Sequence, residues 1–246
     1  MTNKYMYFIA NWKMFGDLRS INSLNKVIKF FKIFKKKKFV KIIYCPPNTL
    51  IRAMSEKLYN SKIGVGAQNC HENENAGAFT GSVNSKMLKN VGAKYVIIGH
   101  SENRNTGETD KLINLKIKSA IKSGLKVIFC IGETLNEKRR KATKRVLERQ
   151  ISLGLKKINK KNSNIIIAYE PVWSIGTGLI PATEELLSIV NFIKKKSNSK
   201  KVLYGGSVNP KNVNVLNSIK NIDGFLVGGA SQDAKKFIDI IKKTYN

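Results

Sequence analysis

Cysteine, histidine and acid are all scarce in this chain of 246 residues, and each shortage narrows what it can be. The three cysteines, Cys45, Cys70 and Cys130, form no Cys-x-x-Cys pair, and their odd number does not suit a disulfide framework. A reducing cytoplasm is the expected compartment. No apolar run approaches the ~18 to 20 residues that span a bilayer. The start, MTNKYMYFIANWKM, offers only six apolar residues before Asn11 interrupts them, so neither a membrane span nor a signal peptide is expected. There is no Pro/Ser-rich linker and no Gly-x-Gly-x-x-Gly fingerprint after an early strand, which argues against a two-domain chain and against a doubly wound dinucleotide fold. One domain over residues 1–246 is the expectation.

Acid is outnumbered by base, with 16 Asp plus Glu against 45 Lys plus Arg and a formal charge of +29. Alone, that excess invites a partner such as nucleic acid or an anionic membrane surface. The lysine-dense stretches Lys35 to Lys38, Lys156 to Lys161, Lys194 to Lys201 and Lys242–Lys243 lack interleaved aromatics and any nucleic-acid reading motif, however. Lys, Asn and Ile are enriched together, as adenine- and thymine-rich codons would produce. Solvated lysines, with no specific nucleic acid and no membrane partner, are the expected reading.

Short β-rich apolar runs recur at Tyr5 to Ala10, Val40 to Cys45, Ile63 to Ala67, Tyr95 to Ile98, Lys126 to Ile131, Ile165 to Tyr169, Val202 to Tyr204 and Gly224 to Val227. Between them lie stretches of helical period, such as Ile113, Ile117, Ala120 and Ile121, or Leu186, Leu187, Val190 and Ile193. Eight alternations of strand and helix, with runs apolar on both faces, predict an α/β protein built as a closed parallel (β/α)8 barrel. Thr134 and Glu137 read as a capping box, and Asn209-Pro210 as an N-cap followed by a first-turn proline. His71 lies in a polar loop with no obvious partner and receives no role.

Chemistry in such a barrel gathers where strands end. Asn11 and Lys13 follow the first run, His100 and Glu102 the fourth, Glu170 the sixth, Gly205-Gly206-Ser207 the seventh and Gly228-Gly229 the eighth. A buried strand rarely delivers a carboxylate for stability alone, because an unpaired charge is costly to desolvate, so Glu170 is the candidate base. The two glycine segments, each feeding a helix start, suit a phosphate dianion. His100 precedes what reads as a first helical turn; it is either a satisfied core histidine or a ring kept neutral to donate a hydrogen bond. Lys13 is either one more surface lysine or a fixed cation held by Glu102. Pro171 on one side of AYEPVWSIGTG and Gly176 and Gly178 on the other suggest a mobile segment.

Taken together, NWKM (Asn11 to Met14), GAFTG (Gly77 to Gly81), GHSENR (Gly99 to Arg104), CIGET (Cys130 to Thr134), AYEPVWSIGTG (Ala168 to Gly178), YGGSV (Tyr204 to Val208) and VGGA (Val227 to Ala230) resemble the triosephosphate isomerase family from end to end. The resemblance implies interconversion of dihydroxyacetone phosphate and D-glyceraldehyde 3-phosphate through an enediolate, with no cofactor and no metal. It further implies Glu170 as proton carrier, His100 as polarising donor, Lys13 and Asn11 beside the developing charge, and Gly176, Ser207, Gly228 and Gly229 as phosphate ligands. A homodimer follows too, with the loop Gln68 to Gly81 inserted beside the partner so that Thr80 approaches the other subunit's Asn11 and Glu102. Ser82 and Asn103 stand where the family commonly has Glu and Arg, so an ionic pair across that interface is missing on both sides. Within the mobile segment, Ser174 and Leu179 replace frequent Ala and Lys. The rival barrels, a sugar-phosphate epimerase or an indole-glycerol-phosphate synthase, call for metal ligands or a different set of acids and lysines; the first is disfavoured by a chain with two histidines.

Overall fold

In a computed structural model of the chain, which describes residues 4–159, 164–199 and 201–246, the eight apolar runs pair edge to edge and close on themselves. The strands are β1 (Met6–Asn11), β2 (Val40–Cys45), β3 (Gly64–Ala67), β4 (Tyr95–Ile98), β5 (Lys126–Ile131), β6 (Ile165–Tyr169), β7 (Val202–Tyr204) and β8 (Gly224–Val227). All pairings are parallel, and Tyr7 of β1 against Gly224 of β8 completes the ring. The helices between them are α1 (Leu24–Ile33), α2 (Ile51–Leu58), α3 (Ser85–Asn90), α4 (Ser101–Asn105), α5 (Asp110–Lys122), α6 (Leu135–Arg139), α7 (Thr143–Gly154), α8 (Thr183–Ser197), α9 (Val213–Ser218) and α10 (Ala234–Tyr245). Lys160, Lys161 and Lys200 of the lysine-rich stretches lie outside the described residues.

The double-sided apolarity of the strands is used by two separate cores. Outward-facing residues such as Phe8, Ile42, Val96 and Tyr169 pack under the helices. Twelve inward-facing side chains, among them Ile9, Ile97, Ile128, Ile166 and Leu203, fill the barrel itself. β3 contributes none of the twelve. A Cβ added at Gly66 would lie 2.8 Å from the Cys45 sulfur and 3.0 Å from the Tyr95 Cβ, so the neighbouring strands already occupy its share of the interior. Closure depends on that empty position as much as on the large residues around it.

Three sequence expectations shift, the smallest being β3, which starts at Gly64 rather than Ile63. β1 starts at Met6 rather than Tyr5, whose ring is about half exposed, and ends on Asn11, which pairs with Cys45; Asn11 is the last residue of the strand and not its successor. After β7, the Asn209 side chain does accept backbone N–H groups, from Lys211 at 2.8 Å and Asn212 at 3.2 Å, but the helix begins only at Val213. The Asn212 side chain reaches back, accepting from the Asn209 amide at 2.9 Å and donating to the Ser207 carbonyl at 2.9 Å. Those bonds close a turn ahead of α9. The capping box at Thr134 is formed in full, with Thr134 N–H donating to the Glu137 carboxylate at 2.8 Å.

Candidate active site

At the C-terminal mouth of the barrel lies a cavity of about 390 Å³, whose wall includes Asn11, Lys13, His100, Glu170, Gly176 and Ser207, with Gly228 and Gly229 completing one side. Every residue that the sequence singled out for direct contact with a ligand therefore lines one cavity. Glu102 lies just beyond it, on a second cleft of about 340 Å³ that it shares with Lys13, Met14 and Gln68. Thr80 is exposed on the loop after β3, away from the cavity of its own chain.

Glu170 leaves β6 at the rim with only 3% of its surface exposed. Its amide is held by the Ile131 carbonyl at 2.8 Å, fixing the exit from the strand. Oε1 lies 3.4 Å from His100 Nε2, while Oε2 meets no hydrogen-bond donor among the described residues. Burial pushes the carboxyl above its ordinary value; His100, the Cys130 thiol and the Lys13 ammonium pull the other way. A Cβ on Gly205 would come within 2.7 Å of the Glu170 Cγ, so only glycine lets β7 end this close to the carboxylate.

His100 is the N-cap of α4, and its Nδ1 accepts the Glu102 amide at 3.2 Å. An imidazole that spends Nδ1 as an acceptor carries its proton on Nε2, the nitrogen that faces Glu170. The ring thus presents a donor to the cavity with the hydrogen-bond pattern of its neutral form.

Lys13 sits in the left-handed region at φ 56°, a conformation costing a non-glycine residue on the order of 1 kcal/mol or more. Its amide bonds the Asn11 Oδ1 at 3.1 Å, and its Nζ meets the Glu102 Oε1 at 2.5 Å. The Glu102 side chain is more than half exposed, which limits that pair to about 1 kcal/mol at most, so its effect is on orientation. Sequence reasoning missed what imposes the strained turn. Gln68 donates to the carbonyls of both Lys13 and Cys45, at 2.9 Å each, and Gln232 donates to the Trp12 carbonyl at 2.9 Å. Neither glutamine carries a local signal, since each acts on backbone far away in sequence.

The segment after Glu170 is anchored at its start. Trp173, in a 3-10 turn at Val172–Ser174, donates from Nε1 to Glu133 at 2.9 Å, and the Tyr169 hydroxyl reaches the same carboxylate at 3.1 Å. Lys138 lies 4.0 Å over the Trp173 ring. Glu133 is fully buried, and burial raises its carboxyl while Trp173 opposes the shift. A signal for it was present: like Glu170, it is a carboxylate delivered by an apolar strand, in CIGET. His71, left without a partner by the sequence, has three: its Nδ1 accepts the Asn73 amide at 3.0 Å, its Nε2 lies 3.6 Å from the Glu72 carboxylate, and its ring packs tilted against that of Phe79 with centroids 4.5 Å apart. It braces the long loop.

Among the described residues no group of three or more His, Cys, Asp and Glu side chains could hold a metal ion, and no helix is long and apolar enough to cross a membrane. A family model described as triosephosphate isomerase matches residues 6–244. The triosephosphate isomerase of Thermodesulfovibrio yellowstonii is 43% identical over 96% of this chain and 98% of its own length. That of Carboxydothermus hydrogenoformans is 42% identical over 96% and 97%. The crystal structure of the triosephosphate isomerase from Bartonella henselae superposes with a TM-score of 0.88 at 32% identity, covering 98% of this chain and all of the other.

Proposed function

The chain belongs to the triosephosphate isomerase family, enzymes that interconvert dihydroxyacetone phosphate and D-glyceraldehyde 3-phosphate through an enediolate, and on that premise we propose how its own residues divide the work. Glu170 removes a proton from one carbon of the triose and returns it to the next. The observation that carries this assignment is a buried carboxylate facing the cavity, raised by burial, with one oxygen lacking any described donor. His100 donates from Nε2 to the substrate oxygens, a pairing of glutamate with neutral histidine that characterises this family. Lys13, with Asn11 beside it, places a fixed cation where the enediolate charge develops. Gly176, Ser207, Gly228 and Gly229 offer backbone amides to the phosphate. Closure of the segment after Glu170 excludes water from an intermediate that would otherwise expel phosphate.

A coupled assay with D-glyceraldehyde 3-phosphate on wild type and Glu170→Asp tests the assignment. Retracting the carboxylate by one methylene is expected to lower kcat by at least ~100-fold. Undiminished turnover removes Glu170 from the role.

We further propose that residues 1–246 act as one barrel domain in a cytoplasmic homodimer. The cleft beside Lys13 and Glu102, the fully exposed Met14 and the projecting Phe79 and Thr80 suit reciprocal insertion of the Gln68 to Gly81 loop. With Ser82 and Asn103 supplying no charges, the contact relies on packing, so a dimer at micromolar concentration is expected in sedimentation and should persist in high salt; a monomer there defeats the proposal.

A further inference from the structure

The Ser174 hydroxyl is fully buried at the start of the mobile segment and has every hydrogen-bonding capacity filled. It lies 2.5 Å from the Leu179 carbonyl, 2.9 Å from the Tyr204 hydroxyl and 3.2 Å from the Ser207 amide. A carbonyl can only accept, so the single serine proton goes to Leu179. Tyr204 must then donate into Ser174 Oγ, and the Ser207 N–H takes the remaining acceptor position. Burial pushes the Tyr204 hydroxyl up to about 12, so it keeps the proton this arrangement requires.

The third partner matters for function. Ser207 lines the cavity, whereas Ser174 is not among the residues that line it. We infer that Ser174 is a positioning residue that competes with the substrate phosphate for the Ser207 amide, so that binding of the anion frees the start of the lid. This rests on the reading of Ser207 as a phosphate ligand. In this structure the amide is satisfied by the segment's own serine. A phosphate oxygen arriving at Ser207 displaces Oγ, and the lid loses one of the bonds tying it to the β7 exit. Anion binding and lid release then draw on the same N–H group. An alanine at this position would leave the amide uncommitted.

Inorganic phosphate serves as the probe, with calorimetry for affinity and the Ser207 amide resonance as the local reporter. Ser174→Ala removes one competing hydrogen bond, so it is expected to bind phosphate about 3- to 10-fold more tightly than wild type. KM for triose phosphate should fall in the same proportion, a change that mere loosening of the core would not produce. Ser174→Thr restores the hydroxyl and is expected to restore wild-type affinity; the amide spectrum of each variant reports whether it is folded. If the Ser207 resonance shifts with phosphate in all three proteins but Ser174→Ala binds no more tightly, the competition is overturned while the ligand assignment stands. If Ser207 never responds, Ser207 is not a phosphate ligand and both fall.

Discussion

Glu170 keeps one carboxylate oxygen near His100 and the other away from any described donor, so ionising it inside the fold costs more than ionising it in the unfolded chain. The sign follows from the raised carboxyl. Above its folded value the group is charged in both states and the fold carries the whole burial cost; the cost fades as pH falls through that value. Below the ordinary glutamate value of about 4.3 both states are protonated and nothing remains. Glu170→Gln should therefore unfold at a higher temperature than wild type at pH 8, by roughly 1 to 3 kcal/mol of stability, and the gain should disappear near pH 4. Equal melting temperatures at pH 8 would show that the carboxylate is better solvated than its surroundings indicate. The same contrast explains which residues were legible beforehand. Glu170, His100 and Lys13 stand out because each is polar where an apolar strand ends. Gln68 and Gln232 impose the left-handed turn at Lys13 through the backbone of Trp12, Lys13 and Cys45, and nothing in their local sequence reports a bond made so far along the chain.

Six of the eight strands begin and end where their apolar runs do, because a run buried on both faces has no other place to go. Loops were less legible. Asn209-Pro210 looks like a helix start, yet the reciprocal bonds between Asn209 and Asn212 close a turn first, and the outcome depends on tertiary geometry at the Ser207 carbonyl. The segment after Glu170 shows the same dependence at its start. Trp173 anchors the 3-10 turn to Glu133 with one N–H, and that donor stabilises the ionised carboxylate. Trp173→Phe keeps an aromatic ring, though a smaller one, and removes the donor, so Glu133 is left with the Tyr169 hydroxyl alone among these aromatic donors. A loss of about 1 to 3 kcal/mol is expected near pH 8, shrinking toward pH 4 as Glu133 is protonated in both states. Thermal unfolding at the two pH values measures it. A loss independent of pH would mean that the tryptophan contributes packing and not its hydrogen bond.

The +29 charge belongs to the whole molecule, and its placement is set by the topology. Lys35 to Lys38 fall between α1 and β2, Lys156 and Lys157 between α7 and β6, and Lys194 to Lys196 in the last turn of α8 before β7. In a parallel barrel all of these sites lie at the N-terminal ends of the strands, opposite the mouth that holds Glu170. Cations in a last helical turn also suit the negative end of the helix. Strands of six residues put roughly 20 Å between the two ends, about two screening lengths at 0.1 M salt. Lysines at the far end are therefore weak attractors for an anionic triose, and their number, conspicuous in the composition, says little about the reaction. Lys13 differs because it lines the cavity itself. Changing Lys35, Lys36, Lys37 and Lys38 together to Gln should leave kcat/KM within about twofold of wild type at 0.1 M salt, whereas Lys13→Gln should lower it by roughly 100-fold or more. The discriminating measurement is kcat/KM of the fourfold variant as a function of ionic strength. A tenfold loss at low salt that vanishes at high salt would show that the lower face does guide substrate across the length of the barrel, and that the charge is part of how the enzyme collects its phosphate.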